Sequence, residues 1–165
     1  MSEITISNTD WSIIQDLRTT LAAATILGQP LFEHVAVTTC PRQARQAQLA
    51  GAGPRAVVRY AGTHEAPAGD GLLLGCTVSV ELLLAVKAGS DEAVRLQQIL
   101  RLVNAARNAI ETDPPSAGRF WGDGSRWLAK LAWSPAAVDT AERPPWALAA
   151  LPLKVAYTLP GPTGH

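Results

Sequence analysis

The stretch of sequence that decides the fold is residues 72–112, LLLGCTVSVELLLAVKAGSDEAVRLQQILRLVNAARNAIET. In its first half, an apolar side chain occupies every second position: Leu74, Cys76, Val78, Val80, Leu82, Leu84 and Val86. This period of two predicts a long β-strand with one buried face. The alternate positions are polar at first and become apolar at Leu83 and Ala85. We therefore expect the end of the strand to be covered on both faces, the second cover being the first helix or an adjacent subunit.

The second half of the stretch changes to a helical period after Gly89. Ser90 can cap the first free amides, and Asp91 and Glu92 place negative charge at the positive end of the helix dipole. The helix should end before the Asp-Pro-Pro sequence at 113–115. Its predicted buried stripe is Leu96, Ile99, Leu100, Val103, Ala106 and Ile110, with Arg95, Gln98, Arg101, Asn104 and Asn108 on the solvent side.

Working outward, hydrophobic periodicity and Gly/Pro punctuation predict six further elements. They are a helix from about 11 to 28, a strand over 31–39, a short helix over 42–50, and strands over 55–60, 126–133 and 151–159. Loops are predicted at 62–71 and 118–124. Consecutive strands favour antiparallel pairing, so we predict an α+β fold in which a mainly antiparallel sheet of about four to five strands is backed by two main helices.

Length and composition predict one domain over residues 1–165, with flexible ends at 1–8 and 160–165, because 47% apolar residues suffice for a core of this size. Fourteen basic and fourteen acidic residues cancel, so net charge predicts no general affinity for nucleic acid and mildly favours association. No signal peptide or membrane span is recognisable, so we expect synthesis in the cytoplasm. Cys40 and Cys76 lie far apart without a CxxC pattern, which indicates reduced, buried thiols.

The sequence carries no recognisable catalytic centre. Its three histidines, His34, His64 and His165, have no serine nucleophile motif near them and no metal-ligand spacing. The glycines of 118–124 lack the GK[ST] ending of a phosphate loop. We therefore expect no enzyme, no catalytic residue, no cofactor and no metal. A small enzyme or ligand-binding domain with a site scattered over loops stays an alternative, its candidate groups being Glu65, Asp70, Asp123 and Arg126.

Two features indicate a candidate interaction surface. The first is a set of four arginines between His34 and His64, a region without any acid: Arg42, Arg45, Arg55 and Arg59. Either this is an ordinary solvated surface or it binds an acidic protein; nucleic acid is less favoured because no stacking aromatics are interleaved. The second feature is Phe120 and Trp121 in the glycine-rich loop, which either pack back on the core or anchor a partner.

The order of elements, together with the run P-R-A-V-V-R-Y-A-G at 54–62 before the long strand, resembles the tail-terminator or tail-completion proteins of Mu-like phages and prophages. The resemblance covers most of residues 10–159. It implies a protomer that assembles with itself as a ring, typically a hexamer, on the finished end of the tail tube, where it ends tail growth and forms the surface that meets head or neck.

The same resemblance implies a protein of the virion, located at the neck end of the tail and assembled in the cytoplasm of the host bacterium. Its partners would be the tail tube protein, DNA only as it passes through the lumen, and no membrane. The segments 118–124 and 135–150 look longer than a minimal terminator requires, which leaves contacts to sheath, neck or head-completion proteins open. A head-tail junction adaptor of the same fold is the alternative.

Overall fold

The computed structural model describes residues 9–68, 73–112, 119–121 and 127–160. Within them lie three helices: α1 (Thr9–Ala23), α2 (Pro41–Gln48) and α3 (Glu92–Thr112). The strands are β1 (Thr25–Ile26), β2 (Gln29–Pro30), β3 (His34–Thr38), β4 (Arg55–Ala68), β5 (Leu73–Lys87), β6 (Arg119–Trp121), β7 (Trp127–Trp133), β8 (Ala137–Asp139) and β9 (Trp146–Pro160). This is an α+β fold, which confirms the predicted class. Of the flexible ends predicted at 1–8 and 160–165, only Pro160 lies within the described residues, as the last residue of β9.

The main sheet has seven strands in the order β3-β4-β5-β9-β7-β6, and β8 pairs with β9 beside β7. Every pairing in it is antiparallel except that of β3 with β4, which is parallel. At its centre β5 pairs with β9 along the full length of both strands, from Leu73 opposite Pro160 to Lys87 opposite Trp146. The sheet exceeds the expected four to five strands because short segments, β6 and β8, pair beside β7 and β9.

One face of the sheet, the core face, packs against α1 and α3. Alternate residues of the central strands point to this face and are fully buried, including Val78 and Leu82 of β5 and Leu151 of β9. They meet a layer of apolar helix side chains: Ile13, Leu17 and Leu21 of α1 and Ile99, Val103 and Ile110 of α3. Each such side chain contributes roughly 1.5–3 kcal/mol on burial, so this layer is the main source of stability.

The second face of the sheet is covered at one end by α2. Ala85 is buried and Leu83 is half-buried, which confirms that this end of β5 is covered on both faces. Of the two covers expected, the first helix is wrong, and an adjacent subunit stays a prediction. α1 lies on the core face, and the second face is covered by α2, which packs on β4 and β5; β8 extends the sheet beside β9. A helix with few apolar residues suffices here because it covers only one end of this face.

The structure corrects the predicted stripe of α3. Leu96 and Leu100 are 42% and 44% exposed, whereas Arg95 and Leu102 are buried. Arg95 can be buried because its Nε donates to the carbonyl of Thr140 at 2.9 Å and its Nη1 to the carbonyl of Gly89 at 3.0 Å. Arg95 thus faces inward with one acceptor just before the helix and one 45 residues further along the chain, and two leucines lie outside.

Three predicted boundaries were also wrong. The first helix ends at Ala23, and the following residues form the β1–β2 hairpin. β4 continues to Ala68 through the segment predicted as a loop, because a register shift between Tyr60 and Gly62 absorbs the glycine while pairing with β5 continues. Residues 119–121, predicted as loop, form β6.

The β1–β2 hairpin supplies a test of backbone strain. Thr25 pairs with Pro30 and Ile26 with Gln29, so Leu27 and Gly28 form a two-residue turn with φ values of 51° and 78°. Positive φ at both positions suits Asn-Gly, whereas leucine at φ 51° is strained. The Leu27 side chain is 91% exposed, so its replacement removes little packing.

We expect Leu27→Asn to raise the free energy of unfolding by about 0.5–1 kcal/mol, measured by urea denaturation. Leu27→Val is the matched variant and should lower it, because a β-branched side chain tolerates positive φ worse. Equal stability of the two variants would contradict this account of the turn.

Candidate interaction surface

The strand register determines which polar side chains share the second face of the sheet. Arg59 of β4 lies opposite Glu81 of β5, which lies opposite Pro152 of β9. Two residues further along, Ser79 faces Lys154, and Lys154 faces Ala132 of β7. The part of this face that α2 leaves uncovered is called the open face, and its polar members are Arg59, His64, Thr77, Ser79, Glu81, Lys130, Lys154 and Thr158. Three of these carry positive charge and one carries negative charge.

Helix α2 is held on the second face by a buried glutamine. Gln48 donates from Nε2 to the carbonyl of Leu84 at 2.7 Å and to that of Ala149 at 3.4 Å. These carbonyls belong to β5 and β9, so one side chain joins the helix to both central strands. Pro41 occupies the first turn, where its missing N–H costs nothing. The helix then presents Arg42 and Arg45 to solvent.

All four arginines predicted from the sequence lie on this side of the molecule, but they divide into two kinds. Arg59 donates from Nε to Glu81 at 3.1 Å, and Arg55 lies 3.9 Å from a Glu33 oxygen. The Arg55 guanidinium also packs on Gly51, where φ is 106° and a Cβ would collide with it. Arg55 and Arg59 are therefore part of the folded framework. Among the described residues, no carboxylate lies within salt-bridge distance of Arg42 or Arg45.

An acidic residue borders the arginines of α2. Asp139 of β8 accepts from the backbone N–H groups of Glu142 and Ala141, each at 3.1 Å. These two hydrogen bonds lower the pKa of the Asp139 carboxyl below its ordinary value, and the charge of Arg45 adds to the effect. Asp139 thus remains ionised beside Arg45, which leaves Arg42 as the less compensated charge.

Sequence reasoning missed Lys130 and Lys154, both exposed. Each occupies a position that alternates with the core-facing residues of its strand. This alternation could have predicted that both side chains lie on the face opposite the core. Their proximity to Arg59 follows only from the pairing of β7 with β9 and β9 with β5. Phe120 and Trp121 lie in β6, which pairs with β7, and their side chains lie outside the described residues.

A second polar cluster lies on the core face at the start of α1. Asp10 accepts from the Tyr157 hydroxyl at 2.5 Å and from the Thr63 hydroxyl at 2.7 Å, and Tyr60 is hydrogen-bonded to Thr63. Burial and the hydrogen bond to Asp10 raise the pKa of Tyr157 above its ordinary value. Burial likewise raises the pKa of the neighbouring Cys76 thiol. Both groups stay neutral, so the cluster fastens α1 to β4 and β9 without offering an activated nucleophile.

Of the four groups proposed for a scattered catalytic or ligand site, the structure describes only Glu65. His34 and His64 are exposed on β3 and β4, and Glu65 is exposed on β4. Asp70, Asp123, Arg126 and His165 lie outside the described residues. Within the described ranges, no group of three or more His, Cys, Asp or Glu side chains is arranged to hold a metal ion. None of the described helices has both the length and the hydropathy of a membrane span.

No family model and no curated protein matches this sequence. Among solved structures, the fold is similar to that of a chain described as "Virion of native gene transfer agent (GTA) particle". The two share 15% sequence identity, the match covers 92% of this chain and 98% of that chain, and the TM-score is 0.52. At this identity the likeness shows a shared fold that extends over nearly the whole of both chains.

The Gln48 anchor gives a stability prediction. Gln48→Ala removes two buried hydrogen bonds to the sheet and should lower the free energy of unfolding by about 1–3 kcal/mol in chemical denaturation. Gln46→Ala, on the exposed side of the same helix, should change it by less than about 0.5 kcal/mol. If the two substitutions cost the same, Gln48 does not hold α2 on the sheet.

The Tyr157–Asp10 hydrogen bond predicts a dependence on alkaline pH. Because the pKa of Tyr157 is raised in the folded state, the unfolded chain loses this proton first, near pH about 10. The corresponding stability is complete below that pH and is lost as pH rises above it. Urea denaturation between neutral pH and about pH 11 should therefore show a steeper alkaline loss for the natural protein than for Tyr157→Phe.

At neutral pH, Tyr157→Phe should itself cost about 1.5–3 kcal/mol, because the lost hydrogen bond has a carboxylate acceptor. Parallel pH profiles for the two proteins would contradict the proposed role of the Tyr157 proton.

Proposed function

We propose that this protein is a structural component of a phage-like virion. The observation that carries the proposal is the fold shared, over nearly the whole length of both chains, with a chain of the gene transfer agent virion. Within that class, the element order and the 54–62 run favour a tail terminator: a ring, typically a hexamer, that caps the tail tube, ends its growth and joins head or neck.

The charged surface supports a protein partner for α2. Arg42 and Arg45 project from a helix that Gln48 fixes on the sheet, so their positions are set before any partner binds. Preorganised charges of this kind favour rapid and oriented docking on an acidic surface. In this proposal the acidic surface belongs to the tail tube, and sheath or neck proteins are further partners of the assembled ring.

DNA has only a passing role in the proposal. The open face combines Lys130 and Lys154 with the small side chains of Ala132 and Ala156, and Glu81 partly balances its charge. A face with few cations gives weak, salt-sensitive contact with phosphates. Such a face suits the wall of a channel through which DNA moves, rather than a site that retains it.

The capping role is tested with the full chain and polymerising tail tubes. Added protein should appear by negative-stain microscopy as a ring at one end of each tube, and the tube-length distribution should become shorter and narrower. Binding to the head connector without any effect on tube length would instead support the adaptor function. Absence of binding to both would contradict the proposal.

The α2 arginines provide a matched test of the docking surface. Arg42→Glu with Arg45→Glu should weaken tube binding at least about tenfold at low salt, because favourable rim charges become unfavourable. Arg18→Glu, an exposed arginine of α1, makes a single charge reversal on the other side of the sheet and should have little effect. Co-sedimentation with tubes over a salt series measures both. If the α2 variant and the Arg18→Glu variant lose the same amount of tube affinity, the loss is a general effect of charge.

A further inference from the structure

The exposed side of α3 carries an apolar strip that the core does not use. Leu96, Leu100 and Arg107 lie within about 40° of one another around the helix and span about 16 Å along it, given about 100° and 1.5 Å per residue. Arg107 reaches β7, where its guanidinium lies 5.4 Å from the centre of the Trp133 ring. Leu96, Leu100, Arg107 and Trp133 are together called the leucine flank.

The leucine flank contains two hydrogen-bond donors without acceptors. The Nε atom of Arg107 and the Nε1 atom of Trp133 are both buried and have no partner among the described residues. Unpaired buried donors are costly and uncommon in folded proteins. Because these two atoms are buried within the protomer, the part of the leucine flank that a partner can contact is the two exposed leucines and the half-buried Arg107 side chain.

A complementary groove lies at the other end of the helix layer. It has a volume of about 350 Å³ and is lined by Asp10, Trp11, Ile14, Val37, Thr39 and Tyr60. Trp11 is 50% exposed and forms an apolar wall. The carboxylate of Asp10 and the hydroxyls of Thr39 and Tyr60 are oxygen acceptors. This depression is called the Trp11 groove.

The two surfaces lie on different sides of the molecule. The Trp11 groove opens between α1 and the β3–β4 end of the sheet, and β3 is an edge strand with no partner on its outer side among the described residues. The leucine flank lies on α3, which packs on β5 and β9, and reaches β7 toward the opposite edge. Two different surfaces at opposite ends of one protomer generate head-to-tail association, which forms rings when the rotation closes.

We propose that the Trp11 groove of one copy of this chain receives the leucine flank of a second copy. Leu96 and Leu100 enter the apolar part of the groove, and the half-buried Arg107 guanidinium lies toward the Asp10 carboxylate, which has the opposite charge. Apolar contact surrounding a guanidinium and a tryptophan is the composition found at interface hot spots. That the series of contacts closes into a ring rests on the proposed function, whereas the pairwise contact does not.

Variants at exposed positions test the contact directly. Leu96→Gln with Leu100→Gln breaks the flank, and Trp11→Gln breaks the groove. Each should weaken self-association at least tenfold in native mass spectrometry and light scattering. Val94→Gln is the matched control, because Val94 is 41% exposed on the same helix but more than about 100° away from the flank. Circular dichroism verifies the fold; should Trp11→Gln unfold, Thr39→Lys blocks the groove from an exposed position.

Mixing the two defective proteins distinguishes the head-to-tail arrangement from a symmetric one. The groove variant retains its flank and the flank variant retains its groove, so a mixture of isotopically labelled copies should yield heterodimers that grow no further. A symmetric contact between identical patches would give no such dimers. Unchanged association of both variants, or a mixture that contains only monomers, overturns the proposal.

Cross-linking covers the case in which association requires the tail tube. A benzophenone amino acid at position 100, in a mixture of ¹⁴N- and ¹⁵N-labelled chains, should form intermolecular links to peptides of the Trp11 groove, in solution or on tubes. The same probe at exposed Glu142 should not. Links from position 100 only to the tube protein would make that protein the occupant and refute self-association. Capped tubes without groove links would reject this contact while leaving the proposed function intact.

Discussion

The pairing of β5 with β9 is the constraint on which the rest of the structure depends. Fifteen residues of each strand pair in one continuous antiparallel register. Because side chains alternate between faces, a slip of one residue would move Val78, Leu82 and Leu151 from the core to solvent. The register is therefore determined by burial, and it places the polar series of Glu81, Ser79 and Lys154 together on the second face.

That central pair also explains how the remaining elements are arranged. The core face accepts two long amphipathic helices, while the second face accepts only the short α2, which covers Ala85 and borders Leu83. Gln48 connects α2 to the carbonyls of both central strands. These bonds compensate the buried Nε2 group for the water that it loses, whereas Oε1 is buried without a partner among the described residues. The arginines of α2 consequently have fixed positions relative to the sheet.

The sequence predicted what depends on local periodicity. The long strand, the helix after it, the short helix beginning at Pro41 and the α+β class all follow from spacing, caps and breakers. Predictions failed where a distant contact decided the outcome. Arg95 was assigned to solvent because its acceptors, the carbonyls of Gly89 and Thr140, cannot be inferred from helix spacing. The continuation of β4 past Gly62 depends on its pairing with β5, which outweighs the local turn signals.

In the candidate surface, too, local patterns were predicted correctly and distant contacts were not. An acid-free run identified Arg42 and Arg45, but it could not separate them from Arg55 and Arg59, whose partners Glu33 and Glu81 are brought close only by folding. Lys130 and Lys154 come from segments that meet through the sheet order. Phe120 and Trp121 remain predictions as partner contacts.

The error in the predicted stripe of α3 bears directly on assembly. The buried side of that helix is rotated relative to the predicted stripe: it includes Arg95 and Leu102 and leaves out Leu96 and Leu100. Leu96 and Leu100 then lie beside the unpaired donors of Arg107 and Trp133, on a side that isolated folding gives no reason to make apolar. A sequence shaped only by the stability of the protomer would place polar residues there. In the proposed head-to-tail contact, these two leucines pack against a second chain, while the buried side of the helix packs against its own sheet.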